Sequence, residues 1–512
     1  MAGSSKKKIL FSTVEVVAIT ILIKFLGLVK QAVLAAYCGA TYETDAFFLA
    51  TGTMVNLCTV VFSAISISLL SIHTDVLVKQ GRSKSNELIN AALRVFIPVA
   101  FVLTALSFIF ASYLAKFIAP AYNADELVLL TRYIRLMSIS FVFWCYYLTV
   151  NVVLETDKIF LPGRGQGFFQ NTFLILGAVF LYGRFGMGIL VYAFLFSGLA
   201  ECILVTWCAR KKYRIIFGKI ASYDAVKHII EVAVPLFLGN AIYEINTIVD
   251  GQISTSIGAG SASILTYGAT IHDMVVGVVI NSVSTVLFSH FSTWIAEGDI
   301  RKVETGLKDV LEYLTMLLLP IMIMCIAAGD QLVEIFYGRG NFGVAEIQRT
   351  YGVVIGYSLG FIFQAARSNL VKVYYAFQDS KRPMINGLIS VSCNIVISIV
   401  LSRFIGVAGI AAGTSCSMFI VTVLLLIGVK KYLPNFRLRE SLTEVGKGIS
   451  ASAVTCTLLI LLRKVIDMNV WAEFIIEGLL VVAVYCLLLI AMKSDSMRFL
   501  LSKGKGLVRK GR

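Results

Sequence analysis

The chain has 512 residues, of which 58% are hydrophobic and 15% charged, with a formal net charge of +15 and a mean hydropathy of +0.84. Soluble domains are about 45–50% apolar and about 25% charged, so this composition excludes an ordinary soluble enzyme. The positive charge does not point to nucleic acid: Lys and Arg sit in short loops and in the last twenty residues, not on aromatic-interleaved faces.

Apolar runs long enough to cross a hydrocarbon core about 30 Å thick fall at 10–37, 45–73, 92–118, 127–154, 167–183, 186–208 and 230–256. They continue at 262–294, 309–328, 350–377, 384–402, 405–429, 448–463 and 470–492. The expectation is an all-α polytopic membrane protein of about fourteen spans. The first run carries Glu15 and Lys24 and no small-residue cleavage site, so it reads as a span and not a cleavable signal. Ten cysteines are scattered singly with no C-x-x-C pair, which excludes a zinc knuckle and a disulfide framework. Alternate loops hold 31 and six Lys and Arg, Arg463 included among the six. That asymmetry predicts cytoplasmic termini and an even span count.

Landmarks recur at offsets of 218 to 223 residues. Gly39-Ala40 returns as Gly258-Ala259, Pro98 as Pro320, and Phe141-x-Phe143 as Phe361-x-Phe363. Asp157-Lys158 with Pro162 returns as Asp379-Ser380-Lys381 with Pro383, and Arg184-Phe185 with Gly188 as Arg403-Phe404 with Gly406. Chance likeness of apolar segments does not repeat polar loop landmarks in order. Equivalent positions are six spans apart, so the expected repeats are parallel, two six-helix lobes around a central cavity. The lobes fall at 1–215 and 216–440, with two added helices at 441–495 and a basic cytoplasmic tail at 496–512.

Ionisable groups within spans are rare and usually functional. Span 1 carries Lys24 and Lys30, about 120° apart on a helix, so both can border one cavity, and Gly27 between them permits a break. The alternative is snorkelling to the interface. Asp45 opens span 2 beside Thr44 and reads as a helix cap. Glu244 and Asp250 lie in span 7, His272-Asp273 in span 8, and Arg367 and Lys372 in span 10. Arg367 is expected to pair with a carboxylate, and Glu201 in span 6 has no evident role. Cations in the first lobe suit a phosphate or pyrophosphate, and carboxylates in the second suit a coupling Na+ or H+. No Walker sequence, H-E-x-x-H or nucleophile elbow occurs, and Gly163-Arg164-Gly165-Gln166-Gly167 reads as an inter-helix turn. No catalytic residues and no other cofactor are expected.

Three strings, LGLVKQAVLAAYCGATYETDAFFLA at 26–50, IFYGRGNF at 335–342 and KVYYAFQDSKRPMINGLI at 372–389, resemble the MurJ/MviN family of lipid II flippases. That family lies within the wider group of multidrug, oligosaccharidyl-lipid and polysaccharide exporters, and the likeness covers nearly the whole chain. It implies a cavity lined by spans 1, 2, 7 and 8, cations that meet a lipid pyrophosphate, and a groove to spans 13 and 14 for the isoprenoid tail. Family arginines in span 1 fall on Lys24 and Lys30, followed by Gln31 where an acidic residue is usual. Those of spans 2 and 8 fall on Cys58 and near Thr270. With Asp45, His272, Asp273 and Arg367 read from the charged positions within spans, the expected substrate site is Lys24, Lys30, Asp45, Thr270, His272, Asp273 and Arg367. Some members bind sodium; the matching positions are Asp250, Asn394 and Thr414, with Ser398 where a second carboxylate would stand, and Glu244 joins them as an ion-coupling candidate.

The expected activity is translocation of an undecaprenyl-pyrophosphate-linked glycan, the peptidoglycan precursor first. The expected partners are that lipid, membrane lipids and cell-wall synthesis proteins, and no nucleic acid. Another lipid-linked oligosaccharide, a cation-coupled drug antiporter and a non-transporting scaffold are the alternatives.

Overall fold

A computed structural model describes residues 2–213, 223–436, 438–463 and 468–495. The basic tail expected at 496–512 lies outside them. Every regular element among the described residues is a helix, as a chain of apolar spans requires, since only internal hydrogen bonding satisfies a backbone in lipid. Among the described residues, eleven segments are long and apolar enough to cross a membrane. One of them, Tyr42–Ile109, is 68 residues long and covers the expected spans 2 and 3. It turns at Gly81, whose φ of 85° and ψ of 177° no helix contains. The expected spans 7 and 10 are helical as well, and the fifth and thirteenth are present as Pro162–Phe185 and Thr443–Leu462. Large apolar side chains such as Phe180, Phe404 and Leu487 are exposed, as lipid-facing positions are.

The chain packs as two units, residues 1–263 with 340–342, and residues 264–339 with 343–512. The first contains α1 (Ala2–Cys38), α2 (Tyr42–Cys58), α3 (Ala64–Ile109), α4 (Ala111–Ile118), α5 (Ala124–Met137) and α6 (Ser140–Thr156). It continues with α7 (Gly165–Leu176), α8 (Tyr182–Phe185), α9 (Gly188–Ala209) and α10 (Tyr223–Ile257), and α11 (Ser261–Val275) begins in it. Its core joins Phe47, Met54, Phe62, Leu69, Ile134 and Phe141. The seventh expected span, α10, belongs to this packing unit because it lies along α3. The sequence repeat and the packing unit therefore divide the chain at different places.

The second unit contains α12 (Asn281–Ala296), α13 (Ile300–Ala327), α14 (Gly329–Tyr337), α15 (Val344–Ser358) and α16 (Phe361–Ala376). It ends with α17 (Lys381–Ile405), α18 (Val407–Val429), α19 (Leu438–Leu462) and α20 (Val470–Ala491). Helices α17 and α18 pair along their length. The two helices beyond the duplication, α19 and α20, dock on α13 through Leu319, Ile323, Leu459, Val481 and Tyr485.

The duplication persists in backbone detail that apolar patterning cannot enforce. One π-helical turn spans Thr59–Ser63 and another Val276–Ile280. At the start of α5, Asn123 N–H donates to Glu126 Oε2 at 3.0 Å, and at the start of α15, Gly343 N–H donates to Glu346 Oε2 at 3.0 Å. Lys158 and Gln378, 220 positions apart, both have φ near +60°. Gly186 and Gly406, also 220 apart, end helices at φ 62° and 60°, so Gly186 and not Gly188 is the counterpart of Gly406. No side chain approaches Gly186, so Gly186→Ala isolates the backbone cost. It should lower unfolding stability by about 1–3 kcal/mol, read as an earlier thermal transition with unchanged helical content.

Each repeat also anchors its loop aspartate. Asp157 receives Arg82 at 2.5 Å and Lys212 at 2.8 Å, and Asp379 accepts from Tyr432 at 2.8 Å and pairs with Arg382 at 3.5 Å. Partial burial works to raise the Asp157 pKa, but the bonds and charges of Arg82 and Lys212 outweigh it and hold the carboxyl below its ordinary range. A depressed folded-state pKa gives stability that is present above the unfolded value and lost as pH falls through the folded one. Asp157→Asn should therefore lower stability at neutral and alkaline pH and converge with wild type at low pH, so that the acid-side fall becomes shallower, as read by thermal unfolding across pH.

Candidate functional site: membrane-embedded cations and carboxylates

In the first unit, α1 is continuous through Gly27, so the break that a glycine permits there is not used. Gly27 faces α7: Asn171 Nδ2 lies 3.5 Å from where a Cβ would stand, an ordinary contact, and donates to Ile23 O at 3.3 Å. Lys24 is exposed and Lys30 half-buried, and they lie within electrostatic reach of each other. Neither ammonium has an ion pair among the described residues. Two uncompensated cations at membrane depth favour a diphosphate, which needs several donors and a charge of opposite sign.

The cap assigned to Asp45 belongs elsewhere. Thr41 caps α2, accepting Thr44 N–H at 3.3 Å, and Thr44 Oγ1 donates to Cys38 O at 3.2 Å. Asp45 is 0% exposed. Its Oδ1 accepts Ser263 N–H at 2.6 Å and Ser263 Oγ at 2.5 Å, so it closes the first turn of α11 from 218 residues away. A carboxylate so committed is a helix anchor and not a headgroup ligand. Asn341, in the glycine-flanked string at 335–342, donates N–H to Ala36 O at 2.9 Å and Nδ2 to Tyr37 O at 2.7 Å. It thereby closes the C-terminus of the helix that carries the lysines. Cys58 is fully buried, its Sγ 3.8 Å from Ser140 Oγ. Glu244 is half-buried, and Asp250 accepts from Asn246 at 3.2 Å through one oxygen while Oδ1 has no hydrogen-bond partner.

In the second unit, Thr270 Oγ1 turns back to Thr266 O at 2.9 Å. His272 faces Asp273 at 3.1 Å, stacks on Phe361 at 5.7 Å and leans on Tyr357 at 4.8 Å. Asp273 itself is exposed. Arg367 and Lys372 line one cavity of about 240 Å³ with Phe288, Ser368, Val371 and Tyr375. That cavity gathers two cations on α16, a grouping the separate reading of each residue missed. Their spacing of five was its only trace in the sequence. Asn394 Nδ2 donates to Thr414 Oγ1 at 3.0 Å, leaving Asn394 Oδ1 without a partner, and Ser398 is buried. Unpartnered carbonyl and carboxylate oxygens suit a hard alkali cation. No group of three His, Cys, Asp or Glu occurs among the described residues.

The three comparisons agree on relationship. A family model described as lipid II flippase MurJ matches residues 34–481. A probable lipid II flippase MurJ of Thermotoga maritima is 24% identical over 483 residues, covering 93% of this chain and 95% of that one. The lipid II flippase MurJ of Thermosipho africanus is 25% identical over 502 residues, 97% of this chain and 100% of its own. Among solved structures, a lipid II flippase MurJ in an inward closed conformation matches with a TM-score of 0.81 at 24% identity, covering 93% and 98% of the two chains. An inward-facing multidrug-resistance transporter of the MATE family matches with a TM-score of 0.70 at 12% identity, covering 82% and 99%.

The family-model match over residues 34–481, together with the long apolar helices, makes this chain a multi-pass membrane transporter and not an enzyme. Over most of its length it meets one family's pattern, and it belongs to the lipid II flippase MurJ family.

Proposed function

We propose that this chain carries lipid II from the inner to the outer leaflet of the bacterial cytoplasmic membrane by alternating access. The observation that carries the reading is the pair of ammoniums, Lys24 and Lys30, on α1, which have no ion pair among the described residues. They hold the diphosphate while the isoprenoid tail follows the apolar surface of α19 and α20. The 31-to-six loop asymmetry supports cytoplasmic termini. A monovalent cation, Na+ or H+, drives the cycle; each charge crossing the membrane contributes about 2.3 kcal/mol per 100 mV. Within the first unit, Asp250 Oδ1, without a hydrogen-bond partner among the described residues, supports cation binding.

Complementation tests this. Expression should restore growth to a bacterium depleted of its own lipid II flippase, and failure of a well-expressed, membrane-inserted chain would reject lipid II as the substrate. A second reading, another undecaprenyl-linked oligosaccharide, draws on Cys58 and Thr270. They stand where the resemblance places arginines, and here one is buried and the other bonds its own helix. Restored export of such a glycan without restored growth would favour it.

A further inference from the structure

Glu201 of α9 is 1% exposed, and neither carboxyl oxygen has a hydrogen-bond partner. It has no ion pair among the described residues. An ionised carboxylate in that setting costs many kcal/mol, whereas a protonated one costs little.

Its surroundings form a built site. The glycine-rich turn alternates glycines so that three helices can close on it: Gly163 faces Asn151, Gly165 faces Glu201 and Gly167 faces Ile23. The Glu201 Oε2 lies 2.6 Å from where a Gly165 Cβ would stand. Gly165 is the first residue of the twelve-residue α7, and its N–H donates to Pro162 O in the 3-10 turn that leads into the helix. Tyr147, Asn151 and Glu155 follow at i, i+4 and i+8 on one face of α6. Tyr147 Oη donates to Gly163 O at 2.9 Å, and Asn151 Nδ2 donates to Glu155 Oε1 at 2.9 Å. Glu155 is half-buried at the helix end, so the stripe runs from accessible surface to the Tyr147 ring beside Glu201. The other titratable or charged neighbours are Arg164 on the turn, acting on Tyr147 and Glu155, and Cys202 and Cys208 on α9 itself.

We infer that Glu201 is a proton-binding site within the first unit, carrying its proton in this conformation. Its exchange with water breaks and remakes only the carboxyl O–H bond, and the electron pair stays on the carboxylate oxygen. The site stands whether or not lipid II is the substrate. If transport is proton-coupled, it is a residue at which that proton is held.

Infrared difference spectroscopy on the purified full-length protein in lipid nanodiscs tests the assignment. At neutral pH the wild type should show the carbonyl band of a protonated carboxylic acid that shifts in D2O. Glu201→Gln, neutral and nearly isosteric, should lose that band, and Glu155→Gln should keep it. If Glu201→Gln does not fold, Glu201→Asp should move the band instead. A spectrum unchanged by substitution at Glu201 overturns the proposal.

Discussion

Replacing Lys24 or Lys30 with alanine should weaken binding of an undecaprenyl diphosphate roughly ten- to a hundredfold. A hydrogen bond to a charged group contributes about 1.5–3 kcal/mol, and 1.4 kcal/mol is about a factor of ten in Kd. Both ammoniums lie on one uninterrupted helix and lack ion-pair partners among the described residues, so their removal strips charge from a ligand and leaves no carboxylate stranded. Stability should therefore be unchanged, which separates a binding role from a structural one. Arginine at either position should restore or strengthen binding, because its planar fork meets two phosphate oxygens together. Raised salt should weaken wild-type binding more than that of the double alanine variant. Unaltered affinity in both single variants would show that the lysines face lipid.

Arg463→Ala should be the most destabilising single change outside the apolar core, by about 3 kcal/mol. At the end of α19, the guanidinium donates two parallel bonds to Asp330 at 2.9 Å each. Its Nε lies 3.3 Å from Glu477 and 4.0 Å from Glu473, and it also donates to Ala327 O. One cation thus ties the start of α14 and the end of α13 to both added helices. Glu477 is only 2% exposed, so without the arginine a buried carboxylate remains beside two others. Thermal unfolding in detergent should fall well below wild type. Arg463→Lys should recover part of the loss, since an ammonium cannot make the paired bonds. Adding Glu477→Gln to Arg463→Ala should recover part as well, and a double variant no more stable than Arg463→Ala would contradict the account.

Hydropathy made the spans legible, because a bilayer imposes length and apolarity on each helix separately. The polar loop landmarks revealed the duplication, and the positive φ values at Lys158 and Gln378 show why: both mark the same turn after a span. What sequence could not resolve depended on distant partners. Asp45 looked like the cap of its own helix, and only the fold brings Ser263 to it. Gly27 looked like a hinge, because nothing in its neighbourhood announces Asn171. Arg463 sat in an inter-helix turn, with Asp330 133 residues away. Glu201 was visible as an odd charge in an apolar run, but its isolation is a statement about burial that periodicity cannot make.

The most direct measurement is leaflet transfer of lipid II by the purified protein in sealed vesicles, read by the lipid's accessibility to an impermeant reagent. The account predicts transfer by the wild-type chain and loss of it in the Lys24→Ala, Lys30→Ala double variant at equal incorporation. Equal transfer by the two proteins would contradict it.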